Sequence, residues 1–436
     1  MATPHHYYVD DGVYAELWDR ARVEQAMAAS IEAIFILLGD SDLLRRQDPV
    51  SFDKLIEMLV SYRNRILGHV IDTRRMTVGI PDDFLCDVIK LLSTTWGDHR
   101  KMFTVTEAEE LTGKLNHIAL TAPWLKFLMS QLYVSLACAL RLNEAAARRT
   151  CKSFQHALKE LRRLPPTPAH EQERNFHLAT TARAIHRQKT KHAINSTMRK
   201  ELRLIRRVLQ CDSFPKSTPI SHLIPRVPVA IAYGDSSLDA AGGFCPELGF
   251  WWYLEWPPEI KCRTLRHIKN KTSGKLIDIN ILEYATQIIT NLISYLRVDE
   301  LDLLDSDPFP HVLYRGDNTC SESWSQKGAK HSPGGRALGR LQAAIMVNNP
   351  IHFTAEHIST TANVVADKIS RILREHDVLT SVARIQQEHP ELAGCQRFKL
   401  TSDQLLCLTE MLLQADCSNP VGLSRRLLTA PARTTS

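Results

Sequence analysis

No run in this chain approaches the roughly eighteen uninterrupted apolar residues that a membrane helix needs. Its opening residues, Met1 to Gly12, hold no basic segment followed by an apolar one, so no secretory signal is readable. These absences lead to the expectation of an intracellular address, cytoplasm or nucleus, and no membrane partner. The 10 cysteines stand singly, without a C-x-x-C pair or a Cys/His knuckle, which argues for reduced core residues rather than a zinc site or a disulfide frame. Neither sign of charge prevails: 54 basic against 48 acidic residues give +6. The distribution is uneven, however. Residues 141–208 hold 17 Lys/Arg and 5 Asp/Glu, a net +12, which leaves −6 for the remainder of a +6 chain. A basic segment joined to an acidic one points to a polyanion partner for the first and metal-binding carboxylates in the second.

What is present is an ordinary globular composition, 44% hydrophobic and 23% charged over 436 residues, enough for about two to four domains. The start is β-rich and ends in an acidic turn, Tyr8-Val9-Asp10-Asp11-Gly12. Apolar residues at Ala26, Ile31, Ile34, Phe35 and Leu38 predict a helix from Val23 to Leu38, stopped at Gly39, and a second is expected over Phe52 to Tyr62. Two β-like runs, Ile66 to Asp72 and Met76 to Pro81, separated by Asp72-Thr73-Arg74-Arg75, predict a hairpin. From Asp82 to Leu142 the pattern is helical with no β-rich interruption, and Thr106 with Glu109 offers a capping box. The basic stretch continues as one or two helices, broken near Leu164-Pro165-Pro166-Thr167-Pro168 because tandem prolines remove backbone donors and clash with the preceding turn.

Past Pro215 the pattern alternates β and α. Strands are expected over Val229 to Tyr233, Gly242 to Cys245, Gly249 to Leu254, Val312 to Tyr314 and Ile351 to Ala355, and helices over Ile281 to Leu296, Leu338 to Val347 and Asn363 to Leu373. In the first of these helices Ile281, Leu282, Ala285, Ile288, Ile289, Leu292, Ile293 and Leu296 form a stripe that needs a sheet to cover. The expected fold class is α/β, or α+β over the whole chain: a helical region followed by a mixed five-stranded sheet with flanking helices. Residues 376–436 read as a mostly helical extension around Ser402 to Leu413, closing in a polar tail.

Four acids in the α/β segment are candidate metal ligands. Asp235 and Asp317 each follow a β run, Glu283 lies in the first turn of the apolar helix, and Asp367 sits in the last helix. Taken singly, each has an ordinary explanation: an Asp after a strand is a turn or cap residue, and a Glu in a first helical turn answers the helix dipole. The set is different. Two strand ends and two helices packed across the same sheet edge would bring four carboxylates together, and such a group repels itself unless a cation neutralises it. Hard oxygen ligands suit Mg²⁺, with Mn²⁺ as a substitute. Two ions roughly 4 Å apart can activate water and stabilise a leaving oxygen in phosphodiester cleavage. His357 is expected to end the fifth strand, and Trp251, Trp252 and Trp256 to serve as sheet core rather than as base-stacking platforms.

The series Tyr233-Gly234-Asp235-Ser236-Ser237-Leu238-Asp239-Ala240-Ala241-Gly242-Gly243, Leu282-Glu283-Tyr284-Ala285, Arg315-Gly316-Asp317-Asn318 and Asn363-Val364-Val365-Ala366-Asp367-Lys368-Ile369-Ser370-Arg371 resembles, in order, the four acidic motifs of retroelement ribonuclease H domains. The Asn-x-x-Ala-Asp-x-x-Ser-Arg block is the most specific of them. The resemblance implies an endonuclease that cuts the RNA strand of an RNA·DNA hybrid with two Mg²⁺ held by Asp235, Glu283, Asp317 and Asp367, with Ser236, Asn318 and Asn363 as candidate substrate contacts. Cellular members of the family carry a His shortly before the final Asp; here Ser359-Thr360-Thr361-Ala362 has none.

Upstream, Tyr8-Val9-Asp10-Asp11 resembles the Tyr-x-Asp-Asp turn of a reverse transcriptase palm, Leu67 to Asp72 its primer-grip hairpin, and Leu111 to Leu115 part of a helical thumb. The order is similar to that of DIRS-like and related retroelement reverse transcriptases. It implies a palm remnant over 1–81, a thumb-like region over 82–142, a basic connector over 143–222, the nuclease domain over 223–375 and the extension over 376–436. With nine residues before Asp10, the fingers and first palm acid are missing, so no polymerase activity is expected unless a separate chain supplies them. The alternatives to a hybrid endonuclease are a catalytically inactive retroelement remnant and a nucleic-acid-binding module in which the basic connector matters and cleavage does not.

Overall fold

The computed structural model describes residues 5–8, 11–14, 21, 25, 28–29, 32, 62–150, 156, 159–160, 163–165, 167–186, 190–211, 214–224, 226–269, 277–307, 309–347, 351–372 and 377–413. The chain divides into two compact units, Met1–Pro81 and Asp82–Ser436.

In the first unit, β1 (His5–Tyr8) and β2 (Asp11–Tyr14) pair antiparallel with Tyr8 opposite Asp11. Asp11 therefore opens the second strand of a hairpin, while Asp10 lies outside the described residues. So do the helices expected over Val23 to Leu38 and Phe52 to Tyr62, apart from single helical positions at Gln25, Ala28, Ala29 and Glu32 and the bend residue Tyr62. The predicted hairpin is present as β4 (His69–Asp72) against β5 (Thr77–Gly79), and it gains an unexpected partner, β3 (Arg63–Ile66), on its other side. Leu67 and Gly68, both at positive φ (49° and 79°), make the two-residue turn between β3 and β4, the conformation that matches the twist of a tight hairpin.

The second unit opens with helices α1 (Asp82–Ser93), α2 (Val105–Thr121), α3 (Ser130–Thr150), α4 (Pro168–His186) and α5 (Ser196–Leu209). The capping box forms at Thr104 and Glu107, two residues before the expected pair. Starting there puts Val105, Ala108, Leu111, Leu115 and Ile118 on one buried stripe, and that burial selects between two equally spaced Thr/Glu pairs. A short antiparallel pair, β6 (Met102–Phe103) with β7 (His192–Ala193), interrupts the region that the sequence read as wholly helical. Pro168 begins α4, where a missing N–H costs nothing. A short strand, β8 (Ser217–Pro219), leads on to the sheet.

Strands β9 (Ala230–Ser236), β10 (Ala240–Cys245) and β11 (Phe250–Glu255) form an antiparallel meander. Helices α6 (Pro258–Lys269), α7 (Ile279–Glu300) and the short α8 (Leu303–Ser306) then lead to β12 (His311–Gly316), which runs parallel to β9. Helices α9 (Thr319–Lys327) and α10 (Pro333–Val347) lead to β13 (His352–His357), parallel to β12. After α11 (Val364–Ser370) and α12 (Val378–Glu388), β14 (Gln396–Arg397) adds to β11, and α13 (Ser402–Leu413) follows. The sheet is mixed, as expected, but six-stranded rather than five, in the order β13-β12-β9-β10-β11-β14. Its sixth strand comes from the segment read as a helical extension.

Two hydrophobic cores cover the two faces. Ala230, Ala232, Cys245, Trp252 and Val312 pack with the stripe of α7, with α10 and with α13. Ala240, Phe244, Trp251 and Tyr253 pack with Val365, Ala366 and Ile369 of α11 and with α12. Trp251 and Trp252 are strand neighbours and so serve opposite faces. Both are buried, as is Trp256, which bears out their reading as core. Each large apolar side chain buried in this way contributes about 1.5–3 kcal/mol before the cost of ordering the chain. Among the described residues no helix is long and apolar enough to cross a membrane.

Candidate metal centre

Because β9 and β12 run parallel, with Arg315 opposite Tyr233, their carboxyl ends emerge at one edge of the sheet. Asp235 is the sixth residue of β9, one short of the strand end, rather than a residue after it as the sequence suggested; Asp317 directly follows β12. Glu283 comes from α7, which begins earlier than its apolar stripe indicated. Asp278 is the N-cap, its side chain accepting from the Ile281 N–H at 3.0 Å. Glu283 therefore lies beyond the first turn, and the helix-dipole explanation for it falls away. Its side chain points at the sheet edge instead, where Oε1 accepts from the Ser236 N–H at 3.4 Å.

Asp235, Glu283 and Asp317 each offer one carboxylate oxygen such that all three lie within 4.8 Å of one another. Asp235 and Glu283 are each 5% exposed and Asp317 is half-buried. Burial pushes the Asp235 carboxyl up to about 6, with the charges of Asp317 and Asp367 adding to the rise and a hydrogen bond from Ser370 opposing it. Burial, followed by the charges of Asp235 and Asp317, holds Glu283 well above the usual carboxylate range. Three hard oxygen donors in this state could hold a divalent cation, whose charge would relieve both burial and repulsion.

The fourth predicted ligand stands apart from this trio. Asp367, in the first turn of α11, accepts at Oδ1 from the Arg371 guanidinium at 2.6 Å. Its charge is nonetheless felt at both Asp235 and Glu283. The sequence set of four is thus assembled as three plus one neighbour held by an arginine.

The candidate substrate contacts are engaged within the fold. The Ser236 hydroxyl donates to the Ser237 carbonyl at 3.1 Å. Asn318 N-caps α9, accepting from the Ser321 N–H, while its Nδ2 donates to Asn280 Oδ1, both at 3.0 Å. Asn363, fully buried, donates from Nδ2 to the Gly234 carbonyl at 3.1 Å, and its buried Oδ1 has no hydrogen-bond partner. His357 ends β13, as read, and its Nε2 lies 3.2 Å from the Asp317 carbonyl oxygen.

Part of the basic segment is occupied inside the fold. Arg199, Arg203 and Arg206 of α5 converge on Asp98: Arg199 donates to its carbonyl at 2.5 Å, and Arg203 and Arg206 pair with its carboxylate at 2.7 and 3.6 Å. The sequence reading gave no role to Ser370 or Arg371, although both stand in the most specific motif. Ser370 Oγ donates to Asp235 Oδ2 at 2.5 Å. The signal was their spacing from Asp367, since residues three and four apart share a helix face. No protein-family model matches the chain, and no curated protein matches it.

Proposed function

We propose that this chain is a metal-dependent nuclease of the ribonuclease H type, derived from a retroelement, that cuts the RNA strand of RNA·DNA hybrids. The observation that carries the reading is the convergence of Asp235, Glu283 and Asp317 within 4.8 Å at the common carboxyl edge of two parallel strands. The mixed sheet supports it: three consecutive antiparallel strands, β9 to β11, lie beside the parallel β12 and β13, with helices on both faces, which sets the ends of β9 and β12 side by side.

The trio would hold Mg²⁺, or Mn²⁺ in its place, with Asp367 joining for a second ion. Such a pair supplies an activated water and charge stabilisation at the leaving oxygen. The chain's own contribution is to fix the ligands before substrate arrives. Asp235 is clamped in a strand, Glu283 is set by the buried stripe of α7, and Asp317 follows a strand whose next neighbour, β13, braces it from the outer side. The burial of Asp235 and Glu283 strengthens the charge interactions made there, while the half-buried Asp317 leaves the site open on one side.

The test is incubation of the purified chain with a labelled hybrid, with and without Mg²⁺. Mg²⁺-dependent cleavage is expected, falling by about 10²-fold or more in Asp317→Asn while hybrid binding persists. A parent chain that binds hybrid but never cleaves it would support a binding module, and one that does neither an inactive remnant.

A further inference from the structure

Helix α11 approaches the sheet at one place where a strand offers no side chain. Gly242 of β10 stands directly opposite Asp235 of β9, and a Cβ there would come 2.4 Å from Ile369 Cγ2. With glycine, Ile369 sinks onto the sheet, and the next residue, Ser370, arrives beside Asp235 with no exposed surface of its own. Its Oγ lies 2.5 Å from Asp235 Oδ2, the short distance of a hydroxyl bonded to a charged oxygen. The Asp367 carbonyl is also within reach, at 3.0 Å; the hydroxyl has a single hydrogen, and the closer, charged acceptor takes it. Ser370 is fixed from behind as well. Its carbonyl lies 2.9 Å from Ser237 Oγ, whose single hydrogen it shares with the Ala240 carbonyl at 3.0 Å, and that oxygen accepts from the Ala240 N–H at 3.0 Å, which brings the helix end against the β9–β10 turn.

The carboxyl torsion of an aspartate is broad and roughly two-fold, so an unrestrained Asp235 could turn away from Glu283 and Asp317 or present both oxygens to a cation. We infer that Ser370 is a positioning residue of the metal centre: by engaging Oδ2 it sets the Asp235 torsion, so that the carboxylate presents its other oxygen to the cluster. This rests on the metal-centre reading above and assigns a task to the fully buried serine of the Asn-x-x-Ala-Asp-x-x-Ser-Arg block. Partners in a second layer that orient metal ligands typically account for about 10–100-fold in metal affinity.

Calorimetric Mn²⁺ titration of the full chain, with circular dichroism as the check on folding, tests this. Ser370→Ala is expected to weaken Mn²⁺ binding about 10–100-fold with the fold retained, and Ser370→Thr, which keeps the hydroxyl, to recover most of the loss. In an Asp235→Asn background, where the oriented ligand is already altered, Ser370→Ala should change little further. Wild-type affinity in Ser370→Ala, or equal losses in both backgrounds, would overturn the assignment while leaving the metal centre standing. A parent chain with no saturable Mn²⁺ binding would remove the metal centre and this role with it.

Discussion

At the scale of single residues, the contest over Asp367 is the most informative feature. An i, i+4 ion pair whose arginine is 67% exposed is worth only about 0.3–0.5 kcal/mol, and a guanidinium fork binds phosphate as readily as carboxylate. A nucleic-acid backbone reaching the site would compete for Arg371 and release Asp367 toward its acidic neighbours. Arg371→Ala should therefore tighten Mn²⁺ binding, by about fivefold for removal of roughly 1 kcal/mol of charge repulsion. It should also weaken hybrid binding and lower its salt slope by about one. Calorimetry at two salt concentrations reads both, and unchanged metal affinity would mean that Arg371 and the cation do not sense one another. The acids themselves were legible because their motifs are local. The Ser370 contact was not, because it depends on the missing Cβ of Gly242 on a different strand.

At the scale of elements, apolar periodicity located α7 and the meander, and it misplaced ends. The start of α7 is decided by the Asp278 cap, three residues before the stripe begins. Helix α9 escaped notice because its nine residues, Thr319 to Lys327, are mostly polar and its start is set by the Asn318 cap. Helix α5 holds a different surprise in Glu201, buried on its apolar face, where Oε1 accepts from the Gln131 and Leu132 N–H groups at 2.7 and 3.0 Å and so caps α3. Burial pushes this carboxyl up to about 8, against the lowering by those hydrogen bonds and by Arg340 and Arg336. Because the folded state keeps its proton to about 8 and the unfolded chain loses it near 4.5, folding stability should fall as pH rises across that window and level off above it. Glu201→Gln keeps the acceptor and removes the ionisation, so thermal melts should show a flatter profile and a midpoint about 2–4 °C higher at pH 8 for each 1 kcal/mol recovered. An unaltered slope would place the pH dependence elsewhere.

At the scale of the whole molecule, the alternation of β and α after Pro215 announced a mixed α/β sheet, but composition carries no record of which strands become neighbours. Only pairing shows that β9 lies between β10 and β12, and that adjacency is what brings Asp235 and Asp317 to one edge. The sixth strand was invisible for a related reason: Gln396 and Arg397 have no strand pattern and pair because Phe250 and Trp251 leave an open edge beside them. The charge asymmetry also reads differently once folded, since Asp98 takes up three arginines of the basic stretch. The claim on which everything else depends is that Asp235, Glu283 and Asp317 share a divalent cation. Electron paramagnetic resonance of Mn²⁺ titrated into the full chain measures this directly. Saturable binding is expected, weakened by about tenfold or more in Asp235→Asn and in Asp317→Asn; Mn²⁺ that stays free in solution, or binds the variants as it binds the parent, would contradict a shared cation.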